Sequence, residues 1–344
     1  VGAGYPISGL LAGISLSAAF WFGAVAAVLA MVLAVVFVSP TSGQSSAKLD
    51  VAGAVLLTIG LAALLIAIAE GSGWGWGAPE TIVLFVVAIV FFLLWGAQEL
   101  RVSEPLVDLR LARHPAVFTA DVAALVLGIA MYMYLTGVSE FVQAPKELGY
   151  GFSASVVLAG LCLVPFSVVS ILGSRTLPFW TRLLGKANLL PVGALIVAAG
   201  GVVFALFNGG IWSAFVIMGV MGLGYGLTYG AIPGMIVGAV PESETGSATG
   251  FYQVVRYIGF SLGSAISATL LASETPAGSH LPRLAGYDAI TWTGVGICVL
   301  AAIIAWVLPG RGPKGGAEPT ASELRREQEE AELASAGLPG VRPE

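Results

Sequence analysis

Asp121, Glu140 and Arg256 stand inside long apolar runs, where a charged side chain is rare, costly and tied to proton relays or substrate paths. Asp121 lies about five residues into its run. Gly128, Tyr132, Thr136, Ser139, Glu140 and Gln143 follow on one broad helical face, since the step from 121 to 132 closes three turns nearly in register. Such a stripe should face a bundle interior or a wet cavity. A partly desolvated carboxylate there suits a proton carrier that must load and unload near neutral pH. The other reading keeps Asp121 at headgroup level, solvated or capping its helix. Glu140 sits near the far end of the same run. Arg256, with Tyr252, Gln253, Tyr257 and Ser264 around it, is placed toward the cytoplasmic end of its run. There it either snorkels to the interface or pairs with a carboxylate across the bundle.

Other chemistries lack their residues. The sequence has no GxxxxGK[ST], HExxH, GxSxG or CxxC. The Gly222-Leu-Gly-Tyr-Gly226 run lies within an apolar helix with no flanking strand, unlike a dinucleotide turn. Cys162 and Cys298 are isolated in apolar runs, and His114 and His280 have no second ligand at metal spacing, so no metal or cofactor is expected. A net charge of −5 gives no basic footprint for nucleic acid. No nucleophile and base share a run, so no enzyme is read here.

The elements that carry these residues follow from composition. Of 344 residues, 57% are apolar and only 10% charged, too few charges to cover a soluble domain, which averages about 25%. The expected solvent is lipid, and the expected class is an all-α integral membrane protein. A hydrocarbon core of about 30 Å takes roughly 20 residues of helix. Nine runs fit: 18–38, 49–69, 80–98, 116–138, 153–173, 189–207, 211–238, 247–272 and 288–308. Residues 1–16 read as the end of a further helix entered in its middle, so the chain is expected to be a piece of a longer one. Glu70, Glu80 and Glu99 fall at run ends, as interfacial residues do. Residues 311–344 read as a solvated, disordered tail.

Positive residues fix the expected orientation. With the tail cytoplasmic, Lys48, Arg101, Arg110, Arg113, Arg175, Arg182, Lys186, Arg311, Lys314, Arg325, Arg326 and Arg342 fall inside. Only Lys146 and Arg283 fall outside. The same orientation puts Trp74 and Trp76 at the outer interface, where indoles favour the headgroups.

Glycine spacing speaks to packing. Gly222, Gly226, Gly230, Gly234 and Gly238 recur every four residues, and Gly259, Gly263 and Ser267 repeat the device in the next run. Small stripes let helix backbones approach closely in lipid. They serve either static packing or a gliding surface; Pro233, and Pro165 in an earlier run, permit bends that favour movement.

Several motifs together resemble one family. Tyr5-Pro6-Ile7-Ser8-Gly9-Leu10 is similar, at Pro6 and Gly9, to the Gly-Pro-x-x-Gly-Gly antiporter motif in the fifth helix of the fourteen-helix drug:proton antiporters of the major facilitator superfamily. Pro105-Leu-Val-Asp-Leu-Arg-Leu111, with Arg113 and Phe118, resembles that family's loop before its ninth helix. Pro241-Glu242, Gly246-Ser-Ala-Thr-Gly250 and Arg256 with Gly259 and Gly263 resemble the opening of its thirteenth. Residues 176–188 are similar to the basic loop of the second bundle, with Thr181 where an Asp is usual before Arg182.

The resemblance implies an order of domains: 1–38 ending a first bundle as helices five and six, 39–110 carrying two linking helices and a cytoplasmic loop, and 111–310 forming a six-helix second bundle. Helices one to four, with the family's embedded acidic residue, would lie outside this sequence. It also implies a plasma-membrane, multi-pass secondary transporter, working by alternating access with a cavity between bundles. Its partners would be the bilayer, protons and a small amphiphilic substrate, with no nucleic acid. Tyr132, Thr136, Phe141, Tyr225, Tyr229 and Gln253 are the cavity candidates, and Asp121, Glu140 and Arg256 those for proton coupling. Protonation of a cavity carboxylate would then loosen a cationic substrate. Another solute carrier of the same architecture, or a truncated non-transporting membrane protein, are the alternative readings.

Overall fold

The computed structural model describes residues 7, 10–11, 15–37, 50–102, 105–241, 244–276, 278–279 and 281–308. Pro6, Gly9, Glu242, His280 and the tail lie outside them. The long helices are α1 (Leu16–Phe37), α2 (Val51–Trp74) and α3 (Pro79–Glu99), then, after the short α4 (Leu109–Ala112), α5 (Pro115–Gln143). A broken pair, α6 (Val156–Cys162) and α7 (Val164–Arg175), leads to the short α8 (Leu177–Leu184). Last come α9 (Leu189–Leu206), α10 (Ile211–Val237), α11 (Thr245–Ser273) and α12 (Leu284–Val307). Among the described residues nine helical stretches are long and apolar enough to cross a membrane. All nine coincide with an expected run.

Local chemistry sets the ends. Asp50 caps α2 by accepting from the Gly53 amide at 2.9 Å, and Ser155 caps α6 through the Leu158 amide at 3.2 Å. Proline opens α3, α5, α7 and α8, where its missing N–H costs nothing. One expectation needs correction and one is sharpened. The run 153–173, with its bend expected at Pro165, is a single span, Val156–Arg175, interrupted at Leu163, because Pro165 cannot donate and its ring crowds the preceding turn. Residues 176–188 are not a plain loop: Leu177–Leu184 form α8, whose Trp180 indole donates to Thr176 Oγ1 at 3.2 Å.

α5, α7, α9, α10, α11 and α12 pack as a bundle, and the α2–α3 hairpin leans on α11. Glycines bring backbones into contact. Gly259 closes on the Leu125 carbonyl and Gly263 on that of Ile129, while a Cβ on Gly128 would meet the Arg256 carbonyl at 2.9 Å. These pairs set α5 and α11 parallel, with Asp121 level with Val255. α10 meets α7 in the same manner: Gly222 on Phe166, Gly226 on Ser170, Gly230 on Ser174. The stripe stops there. Gly234, expected to continue it, meets nothing within 4 Å, and Gly238 meets only its own helix.

Toward the C-terminal end of α5, Phe141 is enclosed by Tyr150, Phe152, Phe204 and Tyr287 at centroid distances of 5.4–6.1 Å. Tyr150 donates to the Pro282 carbonyl, tying the loop after α5 to the one before α12; its burial raises the phenol's pKa.

Candidate functional site

A cavity of about 410 Å³ opens where α5, α7, α10 and α11 meet, within the usual size range of small-molecule sites. Met131 and Tyr132 from α5, Phe166, Ser167, Ser170 and Ile171 from α7, Tyr225 and Tyr229 from α10, and Arg256, Tyr257 and Phe260 from α11 line it. On α5, α10 and α11 these residues fall close to the helix midpoints, so the space lies near the middle of the bundle.

The walls are an aromatic chain. Phe166 packs edge-on to Tyr225 (5.6 Å), Tyr225 stacks on Tyr229 (5.6 Å), and across the space Tyr132 leans on Phe260 (5.1 Å), which meets Tyr257 (5.4 Å). Tyr225 is fixed at both ends, since its hydroxyl donates to the Leu127 carbonyl at 3.2 Å. Arg256 sits among four rings, 5.3 Å from the centroid of Tyr229, 5.5 Å from Tyr252 and Tyr257, and 5.6 Å from Phe260. Ring faces attract a guanidinium through their quadrupoles. Its Nη1 donates to Tyr252 Oη at 3.5 Å, a weak bond, and its Nε has no partner.

The expectations for Arg256 are corrected here. It neither snorkels nor, among the described residues, pairs with a carboxylate. α11 begins at Thr245 and runs 29 residues, so Arg256 lies only about 4.5 Å of helix rise from its midpoint. The rings supply what a counter-ion would.

Asp121 is buried, 7% exposed, and its Oδ1 has no hydrogen bond. It does not cap its helix, for α5 starts at Pro115 with His114 at the cap. It stands outside the cavity lining, as does Tyr252, which lies within electrostatic reach of both Asp121 and Arg256. Glu140 is exposed near the other end of α5, about 28 Å of helix rise away. The two carboxylates cannot share one site.

Of the cavity candidates, Tyr132, Tyr225 and Tyr229 line the space. Phe141 does not: it is turned about 200° from Asp121 around the helix and belongs to the core. Thr136 is half-buried, one turn beyond Tyr132 and clear of the lining; Gln253 is half-buried too, its Oε1 unpartnered. Phe166, Ser167, Ser170, Tyr257 and Phe260 were not anticipated. The spacing of Ser167, Ser170 and Ser174, one face of one helix, was the available signal.

The model of the Major Facilitator Superfamily matches residues 1–264. Among curated relatives, multidrug resistance protein Stp of Mycobacterium tuberculosis is 28% identical over 74% of this chain and 47% of its own length. The probable actinorhodin transporter of Streptomyces coelicolor is 30% identical over 65% and 39%, and the cephamycin export protein CmcT of Amycolatopsis lactamdurans 28% over 76% and 54%. The chain spans about half the length of the curated relatives it matches.

Proposed function

Because the chain belongs to the major facilitator superfamily, we propose that it forms the cavity-bearing part of a secondary transporter of the plasma membrane that exports amphiphilic small molecules in exchange for protons, by alternating access. The observation that carries this reading is the mid-bundle cavity itself, apolar and aromatic in its walls with Ser167, Ser170 and Arg256 among them. That composition suits a compound that must be held and then released without deep desolvation penalties. The names of the relatives, exporters of drugs and antibiotics, agree with export.

Asp121 supports the proton part. It is a buried carboxylate with an unpartnered oxygen, outside the cavity lining and within electrostatic reach of Tyr252. A proton arriving there would change the field felt at Tyr252 without occupying the substrate's space. The two bundles' rocking would expose this level alternately to either side, with the tail and the basic loops cytoplasmic.

The test uses the protein in vesicles with a pre-set pH gradient and a trapped pH dye. Substrate-dependent collapse of the gradient is expected of the wild type, and its loss in Asp121→Asn while substrate still binds. Unchanged proton movement in that variant would remove Asp121 from the mechanism, and no substrate-dependent collapse in the wild type would remove exchange altogether.

A further inference from the structure

Between Glu147 and Glu242 the sequence carries three charged residues, Arg175, Arg182 and Lys186, and no acid. All three fall in one short stretch at one end of the bundle. They are exposed, and among the described residues none of them forms an ion pair. The stretch joins two spans, Val156–Arg175 and Lys186–Leu206, so α8 sits where the hydrocarbon ends. Its eight residues rise only about 12 Å, too little to cross a bilayer.

α8 carries two apolar ridges. Leu177, Trp180, Thr181 and Leu184, at i, i+3, i+4 and i+7, are half-buried. The three apolar ones pack on a cluster that holds Leu189 and Leu190 of α9 and Ile232 and Ile236 of α10. The second ridge is Phe179 and Leu183, one turn apart and 61% and 63% exposed. At about 100° per residue it lies roughly 130° around the helix from the first, with Arg182 roughly 80° beyond it. Bundle, apolar surroundings and charge are thus met in three separate directions. A helix lying in the membrane interface has this arrangement, its free apolar ridge against acyl chains and its cations among the headgroups.

The charge selects the lipid. A free phosphate would leave Phe179 and Leu183 in water, and a zwitterionic headgroup brings its own cation to a stretch with no acid to receive it. An anionic lipid suits both the ridge and the charge. We propose that α8 and its flanking cations bind anionic glycerophospholipid of the adjoining leaflet, an acyl chain lying on Phe179 and Leu183 and the phosphodiester facing Arg182, with Arg175 and Lys186 adding to the field. Such a lipid would press α8 onto the end of α10, where a Cβ on Gly230 would meet Leu177 Cδ1 at 2.9 Å. Leaflet charge then bears on how the bundle packs. Binding of this kind requires the spans and stands whether or not the chain transports.

Phosphatidylglycerol and phosphatidylcholine with the same acyl chains, titrated onto the protein in detergent and counted by native mass spectrometry, test it. Phosphatidylglycerol should bind the more tightly. Arg182→Gln should weaken it about five-fold, the worth of one basic residue near an anionic surface, and removing all three cations should weaken it on the order of a hundred-fold. Arg283→Gln, which removes an exposed cation at the opposite end of the bundle, should leave the affinity as it was. Phe179→Ser keeps every charge but should weaken phosphatidylglycerol about ten-fold or more. Phe179 lies on the face turned from the bundle, so the unfolding temperature of this variant without lipid should match the wild type, which separates lost binding from lost folding. Equal affinity for the two lipids, a wild-type affinity in Arg182→Gln or Phe179→Ser, or displacement of the lipid by glycerol 3-phosphate would overturn the proposal. So would a dimer that disappears with Phe179→Ser, since the ridge would then belong to a second copy.

Discussion

Replacing Gly226 with Ala places a methyl against backbone, and its effect can be worked from the contacts. The new Cβ would lie 2.9 Å from Ser170 Cα and 3.0 Å from Ser170 C, with the carbonyl oxygen nearer still. Carbon atoms prefer about 3.5–4.0 Å, so α7 and α10 must part by roughly 0.5–1 Å. Overpacking of this size costs about 1–3 kcal/mol. Alanine also favours a helix over glycine by about 0.8–1.0 kcal/mol, which hides part of the cost. Gly234→Ala supplies the reference. It lies in the same helix and makes the same propensity gain, but its Cβ meets nothing within 4 Å. Subtracting the two leaves the clash, so Gly226→Ala should be the less stable by about 1–3 kcal/mol. Ser170→Gly should not rescue it, because the contact is with backbone rather than with the serine side chain. Thermal unfolding in detergent, followed by intrinsic fluorescence, measures the difference. Equal stability of the two alanine variants, or rescue by Ser170→Gly, would refute a backbone-to-backbone contact at this position.

Two further substitutions probe the surroundings of the site. Phe141→Ala empties a position that is 2% exposed among four rings and should cost about 3–5 kcal/mol in unfolding. Thermal unfolding in detergent reads the loss, and a change under about 1 kcal/mol would take Phe141 out of the core. Trp95→Phe removes the indole donor that reaches Glu99 Oε1 at 2.6 Å beneath the α2–α3 hairpin, where Glu99 Oε2 also accepts from the Val107 amide at 3.3 Å. A loss of about 1–3 kcal/mol is expected, read by denaturant titration, and no measurable loss would mean that water replaces the indole.

The spans were legible because hydropathy summed over twenty residues averages out local exceptions. What it averaged out were those exceptions. Pro165 was visible, but a window of that length could not say that the helix stops at Leu163 and starts again, nor that the serines beyond it would turn inward. α5 was legible as a stripe for three turns, which caught Tyr132. Phe141, about 200° from Asp121, lies on the opposite side of the helix from that stripe and belongs to the core. Arg256 announced itself as a charge in an apolar run, and Tyr252, Tyr257 and Phe260 were its neighbours at i−4, i+1 and i+4. Its fourth ring, Tyr229, comes from another helix, and no reading of one segment could supply it.

Packing and binding are written into the same short stretches of α10 and α11. On α10, Gly222, Gly226 and Gly230 face α7, and Tyr225 and Tyr229 occupy the adjoining face. On α11, Gly259 and Gly263 face α5, and Arg256 and Phe260, within about 100° of them around the helix, reach the cavity beside Tyr257. Small residues draw the backbones together on one side, and that closeness is what brings large side chains from three helices within reach of one another on the next. The clamp covers only part of α10. Past Gly230 the stripe loses its partner: Pro233 leaves the Tyr229 carbonyl without its usual intrahelical donor, and Gly234 faces open space. Tyr225, on the close-packed side, is held to the Leu127 carbonyl, and Tyr229, against which the Arg256 guanidinium rests, is the last cavity residue of α10 before the stripe loses its partner.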